Sequence, residues 1–175
     1  MTDQFNGLVQ WSDCISGQKK ATDVIYLDFC KGFDTVPHNI LVAKLERYGF
    51  GRWTTRWIRK QLDICVQRVT VNGSVSKLKP LTSGVLKGSV LGSIVFSIFI
   101  NDMDSGIECT LNKFADKTKL SGAVDMLEER EAIRRELENL KEWTHANLMK
   151  FNNTKCKVLH LGQGNSQCQH RLMNE

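Results

Sequence analysis

Short apolar runs separated by turn residues alternate with amphipathic stretches along the chain. The run DVIYLDF (23–29) is continuously apolar and ends on a carboxylate, which predicts a buried central strand. Alternating residues around Asn72-Gly73 predict a tight hairpin, because both residues tolerate a positive φ. A strand–turn–strand pattern covers 109–122, and a loop followed by a short strand is predicted over 150–162.

Helical patterns occupy most of the remaining chain. The strongest lies at 125–147, where Asp125 and Glu128 have the spacing of a capping box. Its apolar stripe consists of Leu127, Ile133, Leu137 and Leu140. Further helices are predicted over 39–51, 52–62 and the apolar part of 83–103. Strands and helices do not alternate regularly, so we predict an α+β fold, a mostly antiparallel sheet with helices packed on one face.

Composition and charge narrow the class of protein. The chain has 175 residues, of which 41% are hydrophobic and 25% charged, as in globular domains. A formal net charge of +5 favours polyanionic partners. The longest apolar run, 90–100, is about half of what a bilayer span needs, so no membrane contact is expected. Six cysteines without C-x-x-C spacing disfavour zinc sites, and we expect reduced thiols and an intracellular location, nuclear or cytoplasmic.

Two aspartates stand at the ends of predicted strands. Asp28 closes the first apolar run, and Asp116 lies at the tip of the hairpin at 109–122, with Lys117 beside it. A buried carboxylate is costly unless it is paired, hydrogen-bonded or bound to a metal ion. Two such carboxylates in one sheet can converge on Mg²⁺, which prefers oxygen ligands. The spacing alone leaves open that these are two unrelated turn aspartates.

Segments along most of the chain follow the order of motifs in one enzyme family. The first palm motif of reverse transcriptases from non-LTR retrotransposons, of the jockey and chicken-repeat type, is similar to VIYLDFCKGFDTVPHNIL (24–41). KLERYGF and RVTVNG follow, and the second motif resembles SGVLKGSVLGSIVFSIFINDM (83–103). The hairpin with paired aspartates resembles CTLNKFADKTKLSG (109–122), and the fourth motif resembles FNNTKCKVLHLG (151–162).

This resemblance implies a right-hand polymerase palm over 21–162. A weakly structured lead-in would occupy 1–20 and a loose tail 163–175, with fingers and thumb lacking. The implied activity is RNA-directed DNA polymerisation, a two-metal nucleotidyl transfer. Its partners would be an RNA template, a DNA primer and deoxynucleotides, with Mg²⁺ as cofactor.

The resemblance also implies roles for single residues. Asp28 and Asp116 would bind the metal, and Lys155 would protonate the pyrophosphate, although a solvated lysine is the alternative. The residues implied at the incoming nucleotide are Phe33, Lys87 and Gly88. Phe33 would stand at the gate against the ribose 2′-hydroxyl, with ordinary packing as the alternative.

The chain departs from the family at the hairpin. The family pattern is Phe-Ala-Asp-Asp-Thr, and Lys117 replaces the second aspartate. Two aspartates and one lysine carry a net charge of −1 where three carboxylates would carry −3, so we expect weakened metal binding and no activity. The alternatives are an unstable product or a non-catalytic protein that keeps a basic surface for nucleic acid. That surface would comprise Lys113, Lys117, Lys119, Lys150, Lys155 and Lys157.

Overall fold

The computed structural model describes residues 20–85, 88–165, 167 and 170. The chain forms two compact units. The first, here called the sheet unit, comprises the described parts of 1–28, 104–142 and 151–175, and the second, the helical unit, comprises those of 29–103 and 143–150. The boundaries 21–162 of the palm stay a prediction.

The elements are β1 (Thr22–Asp28), α1 (Gly32–Thr35), α2 (His38–Arg47), α3 (Arg52–Asp63), β2 (Val66–Gln67), β3 (Thr70–Val71), β4 (Ser74–Val75), β5 (Lys79–Pro80), α4 (Val90–Phe99), a 3₁₀ turn (Asn101–Asp104), β6 (Thr110–Phe114), β7 (Lys117–Ala123), α5 (Leu127–Ala146) and β8 (Lys157–Leu161). The predicted strands at 23–29 and 150–162, both hairpins and all four helices are confirmed. None of the helices in the described part of the chain is long and apolar enough to cross a membrane.

The sheet unit is built on a four-stranded antiparallel sheet in the order β6-β7-β1-β8. Strand β1 is central and pairs with β7 from Thr22 opposite Ala123 to Asp28 opposite Lys117. On its other edge, β1 pairs with β8. A strand with neighbours on both edges lies inside the sheet, and the apolar residues of β1 are almost fully buried. This explains why its sequence is a continuous apolar run.

Helix α5 packs on the face of the sheet that carries Ile25 and Leu120. A Cβ atom at Gly122 of β7 would lie 2.9 Å from Cγ1 of Ile133, so glycine permits the close approach of helix and strand. Ile133, Leu137 and Leu140 are buried as predicted, but Leu127 is 72% exposed. The prediction for Leu127 is wrong because this residue begins the helix, one and a half turns before the first buried position.

The start of α5 also differs from the predicted capping box. The Met126 N–H donates to Oε2 of Glu129, whereas Asp125 Oδ1 accepts from the N–H of Ala21. Glu129, not Glu128, therefore satisfies a free backbone donor at the start of the helix.

Asp23, near the start of β1, is a completely buried carboxylate. Nδ1 of His160 lies 2.7 Å and Nε2 of His170 lies 2.5 Å from its two oxygens, and Asn165 donates at 2.8 Å. Burial raises the pKa of Asp23, but the hydrogen bonds from Asn165, His170 and His160 outweigh it, so the pKa lies below its usual value. The cluster ties two residues of the predicted tail to the central strand.

The helical unit has an aromatic core. Phe29 contacts Phe96 edge-on at 6.5 Å between ring centroids, and Trp143 packs against Phe29 at 6.2 Å and Phe99 at 6.0 Å. Ser89 caps α4 by accepting from the N–H of Gly92. Aromatic pairs in such tilted or edge-on arrangements add to the free energy of burial.

Lys44 of α2 is a buried cation within this core. Its Nζ donates to Asp102 Oδ1 at 2.6 Å and to the carbonyl oxygen of Phe99 at 2.8 Å. The same ammonium lies over the rings of Phe99 and Trp143, 4.5 and 4.7 Å from the centroids. Burial lowers the pKa of Lys44, and the pairing with Asp102 opposes that shift. The ion pair joins α2 to the turn that follows α4.

The hairpin β3–β4 turns through Asn72 and Gly73, with φ of 49° and 80°. Both residues adopt the left-handed backbone that the sequence predicts for a primed turn. All residues of β2 to β5 are exposed.

Substituting Lys44 by methionine should lower the free energy of unfolding by about 3 kcal/mol, because Asp102 then loses its buried partner. Urea denaturation checks this. The control is Arg47→Met, which removes an exposed cation from the same carboxylate and should cost much less, because water screens this pair. Equal losses in the two variants would contradict a special role for the buried pair.

Acid should weaken the Asp23 cluster. Because the folded pKa of Asp23 is depressed, its stabilisation is complete above its ordinary value of 3.8 and is lost as the pH falls through the folded pKa. Asp23→Asn should cost about 1–3 kcal/mol at pH 7, because it disrupts the buried hydrogen bonds. The variant should also lose less further stability between pH 5 and 3 than the unaltered chain, measured by urea denaturation. The control is Asp63→Asn, an exposed site, which should keep the acid dependence of the unaltered chain.

Candidate functional site

Asp28 is the last residue of β1 and belongs to the sheet unit. Its side chain is 15% exposed, and Oδ1 is buried without a hydrogen-bond donor among the described residues. The carbonyl oxygen of Asp28 accepts from the N–H of Asn152 at 2.7 Å, which fixes the backbone. A buried carboxylate oxygen without a donor is costly, and such atoms occur where a cation or substrate binds.

Asp116 lies in the two-residue turn between β6 and β7, as predicted. Ala115 precedes it with φ of 52°, an uncommon value for a residue other than glycine. The Asp116 side chain is half-buried. This conformation sets Asp116 at the tip of the hairpin, immediately before the first residue of β7.

The strand register brings the hairpin to the end of β1. Asp28 is directly opposite Lys117, and Asp116 is the adjoining residue. Directly opposed residues in an antiparallel pair share a face, with Cβ atoms about 4.5–5.5 Å apart. The ammonium-bearing side chain of Lys117 therefore lies on the face of Asp28, at the position where the family pattern has a carboxylate.

Lys155 also approaches Asp28. It lies in the turn before β8, and its Nζ is 3.6 Å from Oδ1 of Asp28. This is an ion pair too long for a hydrogen bond, and the lysine side chain is largely exposed. Beside it, burial and the charge of Asp28 raise the pKa of the Cys156 thiol. The structure thus sets Lys155 near Asp28 and Lys117 opposite it, with Asp116 beside Lys117 in the turn.

The other lysines of the predicted basic surface do not all lie on one face of the sheet. Tyr26 lies between Lys119 on β7 and Lys157 on β8, on the same face as Asp28 and Lys117. Lys113 lies on the opposite face, where its Nζ pairs with Asp104 Oδ2 at 2.8 Å. Lys150 belongs to the helical unit.

The residues predicted at the nucleotide belong to the helical unit. Phe33 in α1 is half-buried, and its ring stacks on Phe96 with centroids 4.3 Å apart. This contact supplies the packing role that the sequence left open. Gly88 is exposed with φ of 77°, and Lys87 lies outside the described residues.

The donor set near Asp28 can be tested against a divalent cation. Within the described ranges, no three His, Cys, Asp or Glu side chains form a metal-binding group. Asp28 offers an orphaned Oδ1, and the next carboxylate, Asp116, lies in the turn beside the residue opposite Asp28. Mg²⁺ in phosphate-handling sites uses one or two carboxylates together with water and substrate phosphates. These residues therefore fit a Mg²⁺ ion whose remaining ligands would be water and phosphate oxygens.

Comparison with known families identifies the fold. The family described as reverse transcriptase (RNA-dependent DNA polymerase) matches residues 2–171. The chain belongs to the reverse transcriptase family. The RNA-directed DNA polymerase from the mobile element jockey of Drosophila melanogaster is 26% identical over 152 residues, covering 82% of this chain and 16% of the relative.

A second relative agrees with the retrotransposon type of this reverse transcriptase domain. It is the retrovirus-related Pol polyprotein from the type-1 retrotransposable element R2 of Popillia japonica, 28% identical over 94 residues. The match covers 53% of this chain and 13% of the relative. The predicted non-LTR family is confirmed, and the chain spans a small part of either relative.

Solved structures support the predicted palm-like α+β fold. Apo telomerase from Candida tropicalis, truncated from its C-terminal domain, superimposes with a TM-score of 0.66 at 14% identity. The superposition covers 95% of the reverse transcriptase domain and 36% of the telomerase chain. Telomerase from Candida albicans, solved with a fragment of telomeric RNA, gives a TM-score of 0.61 at 12% identity and covers 95% of this chain and 32% of that one. At these identities the likeness shows the fold alone.

Proposed function

We propose that this domain is the palm of an RNA-directed DNA polymerase whose metal site is impaired by Lys117. The observation that carries the proposal is the orphaned Asp28 Oδ1 at the end of β1, directly opposite Lys117 in the sheet. Membership of the reverse transcriptase family gives the class of reaction. The strand register, which sets Lys117 opposite Asp28, is the reason to expect that this activity is lost.

In the intact arrangement, Asp28 and Asp116 would hold Mg²⁺. The bound ion would supply activation of the primer 3′-hydroxyl and charge balance for the leaving pyrophosphate. Lys155 lies 3.6 Å from Asp28, and its ammonium would donate a proton to the leaving pyrophosphate. Phe33, held by its stack on Phe96, is the proposed gate against the ribose 2′-hydroxyl.

The predicted partners follow from the family. An RNA template is supported by telomerases that share the fold and were solved with a fragment of telomeric RNA. The DNA primer and deoxynucleotides follow from the RNA-directed DNA polymerase activity named for the jockey relative. Lys87 and Gly88 stay proposed contacts of the incoming nucleotide.

Lys117 acts against this chemistry through charge. Its ammonium occupies the face of Asp28 and repels a dication that both carboxylates attract. The lysine is exposed, so its long side chain can turn toward water and reduce the repulsion. Turning away would still leave the ion without the third carboxylate of the family pattern.

A second candidate function is non-catalytic binding of nucleic acid. The observation that favours it is the shared face of Lys117, Lys119 and Lys157, next to Asp28. Such a surface would bind phosphate without reading sequence, and its affinity would fall with salt.

The unaltered chain should not extend a DNA primer on an RNA template with Mg²⁺. Lys117→Asp should restore metal affinity by at least about tenfold, because it exchanges repulsion for a further ligand. Titration with Mn²⁺, followed by electron paramagnetic resonance, measures the affinity, and primer extension measures the activity.

Two control variants separate the effect of the Lys117 charge from the effect of an added carboxylate ligand. Lys117→Ala removes the ammonium without adding a carboxylate and should give an intermediate affinity for Mn²⁺. Adding Asp28→Asn to the Lys117→Asp variant should abolish the gain. Extension by the unaltered chain, or equal Mn²⁺ affinity in all four proteins, would refute the impaired site.

A further inference from the structure

Helix α3 (Arg52–Asp63) in the helical unit presents an unusual solvent-facing side. Successive residues of a helix are rotated by about 100°, so Thr55, Ile58 and Leu62, all buried, mark the side that faces the core. Trp53 and Lys60 lie on the opposite side.

Both tryptophans of this helix are exposed. The side chain of Trp53 is 78% exposed and that of Trp57 is 42% exposed. They are one turn apart, about 6 Å along the axis, and neither contacts another ring or a cation among the described residues. Large exposed indoles are uncommon on a surface that contacts only water, and they mark places where a partner binds.

The cations of α3 flank these indoles. A row on one side of the tryptophans is formed by Arg52, Arg56 and Arg59. Lys60 lies between this row and the tryptophans. None of the four forms an ion pair with a described residue. The helix has no acidic residue in its first turn, so Arg52 also lies against the positive end of the helix dipole.

The three arginines line an open cleft of about 410 Å³. Phe50 forms part of its wall with a partly exposed ring, and Glu46 is its one acidic group. The cleft therefore combines guanidinium groups that can grip phosphate with an aromatic surface at its rim.

We infer that α3, in the helical unit, is a docking surface for single-stranded RNA. Unpaired bases stack on exposed indoles, and neighbouring arginines neutralise the phosphates of the same strand. A folded protein partner would have to bury four unpaired cations, which is costly unless each finds an acid. The choice of RNA over DNA rests on the proposed function, whose template is RNA.

The test measures binding of a fluorescently labelled twelve-nucleotide oligouridine to the full chain by anisotropy, at several salt concentrations. Trp53→Leu/Trp57→Leu should weaken binding about tenfold, because stacking is lost while the charges remain. Arg56→Gln/Arg59→Gln should lower the slope of log affinity against log salt by about 1.4.

Arg134→Gln is the matched control, since it removes one exposed arginine from the other long amphipathic helix, α5. It should leave affinity for the oligouridine within about twofold of the unaltered chain. Docking is measured on the α3 variants and primer extension on the Lys117 variants, so a failed polymerase assay and a failed docking assay are distinct results.

Three outcomes would overturn the inference. The first is that the α3 variants bind RNA as tightly as the unaltered chain. The second is that polyglutamate competes as well as RNA, and the third is that an oligothymidine of equal length binds equally well. The circular dichroism spectrum of each variant should match that of the unaltered chain, because all four substituted side chains are exposed.

Discussion

The register of β1 between β7 and β8 is the constraint on which the site depends. It sets Asp28 opposite Lys117 and Tyr26 between Lys119 and Lys157. A slip of one residue would turn Asp28 to the face that packs against α5 and expose Ile25 or Leu27. Burial of the apolar residues on β1 therefore fixes, through the same hydrogen-bonded ladder, which side chains meet at its end.

The two aspartates of β1 illustrate how one strand can carry a structural carboxylate and one that is proposed to be functional. Asp23 is completely buried, and three polar side chains satisfy it, so folding stabilises its charge. Asp28 is partly open, and its buried oxygen has no donor among the described residues. Only the second arrangement leaves capacity for an external cation. The contrast arises from neighbours distant in the chain, since both residues lie in the same seven-residue strand.

Local sequence patterns were sufficient to predict the strands and helices. They were insufficient to predict which distant residues contact one another. The run at 23–29 and the Asn72-Gly73 turn follow from short-range sequence, and both were predicted. The pairing of Asp28 with Lys117 joins positions far apart in the chain, and only the family resemblance pointed to it. The Lys44–Asp102 pair was missed, because a lysine in an amphipathic helix ordinarily faces solvent. The docking surface on α3 was missed because its tryptophans follow an amphipathic spacing that is also typical of a core-facing helix.

The lysine that is proposed to oppose catalysis is compatible with the fold. Opposite charges on directly opposed residues stabilise an antiparallel pair, whereas two carboxylates at these positions repel each other. An aspartate at position 117 would therefore bring repulsion with Asp28 that only a bound cation relieves. Active sites carry such costs because their charges are arranged for a ligand and not for the empty fold. Lys117 removes that cost, so the stability of the sheet at this position does not depend on a bound cation.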